Sequence, residues 1–291
     1  MYLLRDKTKF TPRFLQPGGF LLGKIVHTIR IVSFLEVLRL EDYGRIARMD
    51  ELRGVLILLV LFYHLLYDIT LFFPAAVPRL WLLQNSFQPL RAIVPGLFIL
   101  LCGMCTHLSR SNLRRGLLCA ALAGAIRLIS GIINPACPIR FGILHLLALC
   151  LLLWCALHRL LQRLLVQGHL PPWAAMVGGG LLFILTYRLE RGILAGIILP
   201  ESWWDHEWLL WLGMPCHRLL SADYFPLLPW GGLFWAGCGL GQWLLAPPYL
   251  QRMQKSYSPG MARLGRHTLA LYLCHQPVWF AGLWLLRTLH G

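Results

Sequence analysis

Long apolar runs separated by short polar stretches make up most of the sequence from residue 52 onwards. Each run is roughly 20 residues long, which is the length an α-helix needs to cross a ~30 Å hydrocarbon core. The pattern therefore predicts an all-α fold, a polytopic transmembrane helix bundle of about seven spans. The predicted spans are residues 52–73, 92–109, 113–133, 141–160, 173–189, 225–246 and 264–288. In the fifth span, Gly178-Gly179-Gly180 favours close packing against a neighbouring helix.

Composition supports a membrane protein. Hydrophobic residues make up 57% of the 291-residue chain and charged residues 13%, with a mean hydropathy of +0.62. A soluble domain usually carries about 25% charged residues. Residues 1–44 are more polar, and we expect a cytoplasmic or interfacial N-terminal segment there. Residues 45–291 are predicted to form one transmembrane domain embedded in the lipid bilayer.

The net charge of +15 follows membrane topology and does not indicate a nucleic-acid partner. Lys and Arg lie in the short loops between apolar runs, and no nucleic-acid-binding signature accompanies them. The loops on the side of the N-terminus hold 19 of these residues and the loops on the other side hold seven. The positive-inside rule therefore predicts a cytoplasmic N-terminus and an extracytoplasmic C-terminus. We expect a multi-pass protein of a bacterial inner membrane.

Ionisable side chains inside the predicted spans are few. Such groups are costly in a membrane and indicate function by default. The predicted helix directions place all of them at a similar depth, in the half of the bundle that faces away from the cytoplasm. They are His64, Asp68, Arg127, His145 and His275.

His64 and Asp68 are spaced i, i+4 and share one helix face. A carboxylate so placed can orient the imidazole and stabilise its protonated form, as in the Ser-His-Asp triad. Imidazole titrates near neutral pH, which suits a general base. One alternative is a buried polar pair that only holds helices together. In another, Asp68 pairs with Arg127, which favours a structural Arg127 over one that binds substrate.

Two further segments can each be interpreted in two ways. Pro277 removes a helical hydrogen bond and frees the carbonyl of residue 273, so His275 and Gln276 lie beside either a polar cavity or an ordinary kink. Arg53 either anchors the end of the first span or contacts a phosphate. The stretch Asp205-His206-Glu207, in a Trp-rich outer loop, lacks metal-ligand spacing, and we expect no metal site.

Five motifs occur in an order that resembles a known family. The resemblance is to the membrane catalytic domain of the heparan-α-glucosaminide N-acetyltransferase family in its short bacterial form, over about residues 45–288. The motifs are RMDELRGVLILLVLFYHLLYD, VPGLFILLCGMCTHLS, IRFGILHLLALCLLL, LLPWGGLFWAGCGLG and LGRHTLALYLCHQPV.

This resemblance implies transmembrane acyl transfer. An acyl group, typically acetyl from cytoplasmic acetyl-CoA, would pass to a sugar amine or hydroxyl on the far side. A buried histidine near that side would be the base or the acyl carrier. In the animal enzyme this histidine follows the first catalytic span. The corresponding loop here has no histidine, so His64 is its nearest substitute, and an envelope glycan or a small molecule is the expected acceptor.

Matching positions give the expected site. Catalysis is assigned to His64 and Asp68. Acceptor binding is assigned to Arg140, His145, Trp230 and His275, with Arg127 beside them. The strongly negative acetyl-CoA is expected at cytoplasmic arginines, namely Arg53, Arg114, Arg115 and Arg266.

Two other classes of function are compatible with the buried polar residues. A proton-coupled transporter or exporter could use the His64 and Asp68 pair to move protons, although no inverted repeat is evident. A non-catalytic membrane subunit would bind no acetyl-CoA. An oligomer is compatible with each of these functions.

Overall fold

In a computed structural model of the chain, the described residues are 46–73, 88–164, 171–214, 221 and 223–290. The predicted N-terminal segment 1–44 and most of the loop after the first span lie outside these ranges. Within them the chain is mostly helical, and nine α-helices follow one another. They are α1 Ala47–Phe72, α2 Gln88–Met104, α3 Asn112–Ile133, α4 Ile143–Leu164, α5 Pro172–Thr186, α6 Leu227–Leu244, α7 Pro247–Gln254, α8 Pro259–Arg266 and α9 Thr268–His290.

A short hairpin lies in the segment between α5 and α6. Strand β1, Ile193–Leu194, pairs antiparallel with β2, Ile197–Ile198. Single 3-10 turns flank this hairpin and another follows α2. They are Leu189–Arg191, Glu201–Asp205, Glu207–Leu209 and, after α2, Cys105–His107. The prediction of a purely α-helical chain is therefore right for the bundle and misses this small hairpin.

All seven predicted spans fall on helices. Four segments are long and apolar enough to cross a membrane, and two shorter apolar helices accompany them. The four are Ala47–Thr70, Asn112–Ile133, Pro172–Arg191 and Thr268–Leu289, and the two shorter ones are Arg91–His107 and Ile143–Leu157. The fold is thus that of a helical membrane protein, and the count of seven spans stays a prediction.

The boundary of the last span differs from its prediction. The apolar run suggested one helix from residue 264, but the chain turns at His267 between α8 and α9. Gly265 packs directly on the backbone carbonyl of Asp50, and Gly54 packs on that of Met261. These contacts hold α8 across the first turns of α1. Helix α9 then begins at the same end of the bundle as α1 and runs beside it.

Close backbone contacts also join the central helices. A Cβ atom on Gly179 of α5 would lie 2.6 Å from the carbonyl oxygen of Gly232 in α6, whereas one on Gly178 or Gly180 would meet nothing within 4 Å. The predicted packing role of the glycine triplet is therefore confirmed for its middle residue. The central core lies between α2, α4 and α6, with Phe234 fully buried at its centre.

The outer surface of the helices is apolar. On α3, Leu128 and Ile132 are 70% and 79% exposed. Exposed residues of this kind over a whole helix face are what a hydrocarbon environment permits and water does not. The exposed faces therefore agree with a bundle surrounded by lipid.

Candidate active site

Two histidines meet where α1 and α9 lie side by side. The ring centroids of His64 on α1 and His275 on α9 are 4.9 Å apart, with a tilt of 58° between the ring planes. His275 is only 7% exposed. The edge of the Tyr63 ring lies against His64, with centroids 5.6 Å apart. The parallel run of α1 and α9 from a common end thus brings together two of the predicted site residues.

Each imidazole has one defined hydrogen-bonding contact. The side-chain amide nitrogen of Gln276 lies 3.0 Å from Nδ1 of His64. Nδ1 of His275 lies 2.6 Å from the backbone carbonyl oxygen of Tyr272, one turn earlier on the same helix. Nε2 of His275 is buried and has no hydrogen-bond partner among the described residues. The sequence left Gln276 beside either a polar cavity or an ordinary kink and gave no sign that it reaches His64.

Asp68 lies one turn beyond His64 on α1 and is 1% exposed. Its Oδ2 atom has no hydrogen-bond partner within the part of the chain that the structure describes. The hydrogen bond to the His64 ring comes from Gln276, so an orienting role for Asp68 stays a prediction. We call the set of His64, Asp68, His275 and Gln276 the histidine site.

A second polar group lies where α4 begins. Nδ1 of His145 accepts a hydrogen bond from the backbone N–H of Gly142 at 3.2 Å. The Asp223 carboxylate accepts one from the N–H of Ile143, also at 3.2 Å. Asp223 thus caps α4 and is a polar residue that the sequence analysis missed. Its only signal was its position, as an acid two residues ahead of the sixth predicted span. Burial raises the pKa of Asp223 to about 6, although its bond to Ile143 acts in the opposite direction.

The other residues assigned to the acceptor differ in their surroundings. The backbone N–H of Arg140 donates to the Ser221 hydroxyl, which donates to the Asp223 carbonyl. The Arg127 charge acts on His145. The Arg140 guanidinium pairs with Glu207 at 3.2 Å on the exposed edge of the protein. Trp230 packs between Phe183 and Phe225, with ring centroids 6.0 and 5.1 Å away. Arg127 was expected to be buried inside a span, yet it is exposed on α3.

The cytoplasmic arginines divide into two groups. Arg53 donates to Asp50 at 2.8 Å and to the Cys105 sulfur at 2.7 Å. Arg115 donates to the Cys105 carbonyl at 3.3 Å and to the Cys102 sulfur at 3.7 Å. We call these five residues the inner cluster. The fold therefore brings two of the four predicted acetyl-CoA residues to one cysteine.

The other two arginines lie elsewhere on the surface. Arg114 is exposed on the first turn of α3, where its backbone N–H donates to the capping Ser111 hydroxyl. Arg266 is exposed in the last turn of α8. Among the described residues, neither makes a hydrogen bond or an ion pair with the inner cluster, so their assignment to acetyl-CoA stays a prediction.

The histidine site has the features of a binding or catalytic centre. More than nine tenths of buried polar groups in native proteins have a hydrogen-bond partner. Asp68 and His275 each leave a buried atom unpaired within the described residues. Such atoms on adjacent helices are available to a ligand. Along α1, Arg53 and His64 are separated by about 16 Å at 1.5 Å per residue, so the inner cluster lies well away from this centre.

Comparison with known proteins yields one match. The family model described as heparan-alpha-glucosaminide N-acetyltransferase, catalytic, matches residues 45–277. This range covers more than half of the chain and includes every residue of the histidine site and of the inner cluster. No curated protein and no solved structure matches the chain.

Proposed function

Because the chain belongs to the heparan-α-glucosaminide N-acetyltransferase family, we propose that it is a membrane enzyme that transfers an acetyl group from acetyl-CoA. The acceptor is a sugar amine or hydroxyl, or a small molecule with the same groups, on the extracytoplasmic side. The observation that carries this proposal is the contact between His64 and His275, with ring centroids 4.9 Å apart between two apolar helices.

The chemistry of the site supports acyl transfer. Attack on a thioester by a hydroxyl or ammonium group requires removal of a proton, and imidazole is the side chain best suited to this near neutral pH. His64 serves as base or acyl carrier, and the Asp68 carboxylate stabilises positive charge on the ring. The apolar surroundings strengthen this electrostatic effect because they exclude water.

The remaining residues of the proposed site divide between the two ends of the helices. Arg53 and Arg115 mark the cytoplasmic end, where the phosphates of acetyl-CoA bind, with Arg114 and Arg266 on the surface nearby. Arg140, His145 and Trp230 surround the acceptor at the other end, with Arg127 beside them. The protein lies in a bacterial inner membrane with its N-terminus in the cytoplasm.

The test is an acetyl-transfer assay on the purified protein in proteoliposomes, with acetyl-CoA as donor and glucosamine as acceptor probe. We expect CoA release by the wild type and a loss of at least 100-fold in His64→Ala, the scale of a lost general base. Phe62→Ala is the matched control, because Phe62 lies two residues away on α1 and is 60% exposed. Full activity in His64→Ala would remove His64 from the mechanism.

The second candidate is a proton-coupled transporter. The Asp68 carboxyl favours it, because it is 1% exposed and its Oδ2 atom has no hydrogen-bond partner among the described residues. Buried acids in spans often carry protons in transporters. A thermal-shift measurement with acetyl-CoA separates the two functions. A ligand that binds the folded state raises the melting temperature by mass action, and only the acetyltransferase requires this. Substrate uptake without CoA release would favour the transporter.

A further inference from the structure

The two imidazoles of the histidine site differ in the group that contacts Nδ1. In His275 this group is the backbone carbonyl of Tyr272, at 2.6 Å. A carbonyl oxygen only accepts hydrogen bonds, so Nδ1 of His275 must carry a proton. In a neutral imidazole the other nitrogen then has a free lone pair. The fold itself therefore fixes His275 in the tautomer whose Nε2 is basic.

His64 is not fixed in the same way. Its Nδ1 contacts the side-chain amide of Gln276 at 3.0 Å. An amide can rotate by half a turn and present either its NH2 group or its oxygen. The NH2 group would place the proton of neutral His64 on Nε2, and the oxygen would place it on Nδ1. His64 can thus serve as donor or acceptor, whereas a main-chain carbonyl offers His275 no such exchange.

The free lone pair of His275 belongs to a buried nitrogen atom. The residue is 7% exposed, and Nε2 has no hydrogen-bond partner among the described residues. The rings of His64 and Tyr272 lie against it, with centroids 4.9 and 5.7 Å away. An unpaired buried acceptor lowers stability unless something donates to it. The group that it suits is a donor with a transferable proton, such as a hydroxyl or an ammonium.

We propose that Nε2 of His275 is the proton acceptor of the acyl transfer, an inference that rests on the function proposed above. The oxygen of an acceptor hydroxyl, or the nitrogen of an uncharged acceptor amine, forms a bond to the acetyl carbonyl carbon, and its proton moves to Nε2. The carbon–sulfur bond of the thioester then breaks, and the sulfur leaves with the electron pair. The proton passes from His275 to this thiolate, which restores the neutral imidazole. In this direct transfer His64 is the hydrogen-bond donor to the reacting carbonyl and carries no acyl group.

The decisive variant is His275→Asn. The asparagine amide can still donate to the Tyr272 carbonyl, but it has no basic nitrogen. His64→Asn is the matched variant on α1. Val278→Ala is the control on α9, since this residue is 54% exposed and does not belong to the histidine site. CoA release from acetyl-CoA with glucosamine is measured between pH 6 and 9, together with the melting temperature of each protein.

The proposal predicts a fall of 100-fold to 10,000-fold in His275→Asn, the range of a lost general base. Because hydroxide must replace the imidazole, the residual rate of this variant should rise about tenfold per pH unit. His64→Asn should also lose activity but keep the shape of the wild-type pH profile. Val278→Ala should match the wild type throughout.

Other outcomes would overturn the proposal in distinguishable ways. A His275→Asn rate within threefold of wild type, or one lowered equally at every pH, shows that His275 is not the base while the acetyltransferase assignment stands. If the wild type releases no CoA, the proposed function fails and this inference fails with it. If His275→Asn does not fold, diethyl pyrocarbonate is applied to the wild type, because the reagent modifies basic imidazole nitrogens. Loss of transfer with modification mapped to His275 supports the proposal, and full transfer by protein modified at His275 overturns it.

Discussion

The histidine site and the inner cluster both include residues of α1, but they differ in whether their polar atoms have hydrogen-bond partners. In the inner cluster the Arg53 guanidinium has partners on both of its terminal nitrogens, Asp50 and Cys105. In the histidine site, about three turns further along the same helix, Asp68 and His275 leave buried atoms without partners among the described residues. In the inner cluster, the charged Arg53 guanidinium has hydrogen-bond partners within the protein. In the histidine site, buried atoms have unused hydrogen-bonding capacity among the described residues.

This difference separates a structural role from a binding role. Each unpaired buried group lowers stability by about 1–3 kcal/mol, so such groups persist mainly where function requires them. Substitutions in the inner cluster should therefore act first on stability. Substitutions in the histidine site should act first on activity. The following predictions test this contrast.

Among the substitutions that test this contrast, the largest effect is expected for Asp68→Asn, on activity alone. The substitution keeps the shape of the side chain but removes the charge that stabilises an imidazolium nearby. Transfer should fall about 100-fold, the scale on which one electrostatic group contributes. The melting temperature should not fall, because Oδ2 has no hydrogen bond to lose within the described residues. Assays of CoA release and thermal unfolding measure both. A lower melting temperature with unchanged activity would instead make Asp68 structural.

A smaller effect, mainly on stability and not on activity, is expected for Arg53→Ala. The change leaves the Asp50 carboxylate and the Cys105 sulfur without their donor. Hydrogen bonds to charged groups contribute about 1.5–3 kcal/mol. The Arg53 side chain is 29% exposed, so we expect a loss near the lower end, about 1–2 kcal/mol in the free energy of unfolding.

Denaturant titration in detergent measures the stability of this variant, and Arg53→Lys, which keeps the charge, should recover part of the loss. The KM for acetyl-CoA tests the separate proposal that Arg53 also contacts the donor, for which KM should rise several-fold with little change in kcat. If Arg53→Ala is as stable as the wild type, the inner cluster is not structural, and the contrast with the histidine site fails.

The sequence predicted the helices and the residues of the histidine site better than the contacts between them. Apolar run length alone located all seven predicted helices, because a helix in lipid satisfies its own backbone. The expectation that His64 and His275 lie at a common depth needed only helix directions, and the structure brings the two rings together. The rotation of each helix about its axis does not follow from direction. Arg127 was accordingly expected inside the bundle and is exposed.

Contacts between distant parts of the chain were the features that sequence reasoning missed. The Gln276 bond to His64 spans 212 positions, and the Arg53 contact with Cys105 spans 52. The break at His267 was missed for a related reason. Arg266 and His267 are polar and stand at the break, but the turn itself depends on Gly265 packing against the backbone of Asp50. Tertiary packing, not local pattern, decides such features.

The smallest effect is expected at Asp223, on the pH dependence of stability. This residue extends the comparison to a buried carboxyl that also has a hydrogen-bond partner. Its pKa is about 6 in the folded protein, against an ordinary value of 3.8. Between these values the folded state binds more protons than the unfolded state. The contribution to stability is therefore complete below about pH 4 and is lost as pH rises through 6. Asp223→Asn cannot titrate, so wild-type stability relative to this variant should fall from pH 4 to 7 and then level off.

Denaturation midpoints of the two proteins in detergent, measured across this pH range, give that difference directly. Glu201→Gln is the control, since Glu201 is an exposed acid in the same outer segment and its substitution should leave the pH dependence unchanged. The opposite trend, with wild-type Asp223 gaining relative stability as pH rises, would mean that the N–H of Ile143 and the start of α4 outweigh burial and hold the carboxylate ionised. In that case Asp223 would resemble the inner cluster, where partners inside the protein fully satisfy the charge.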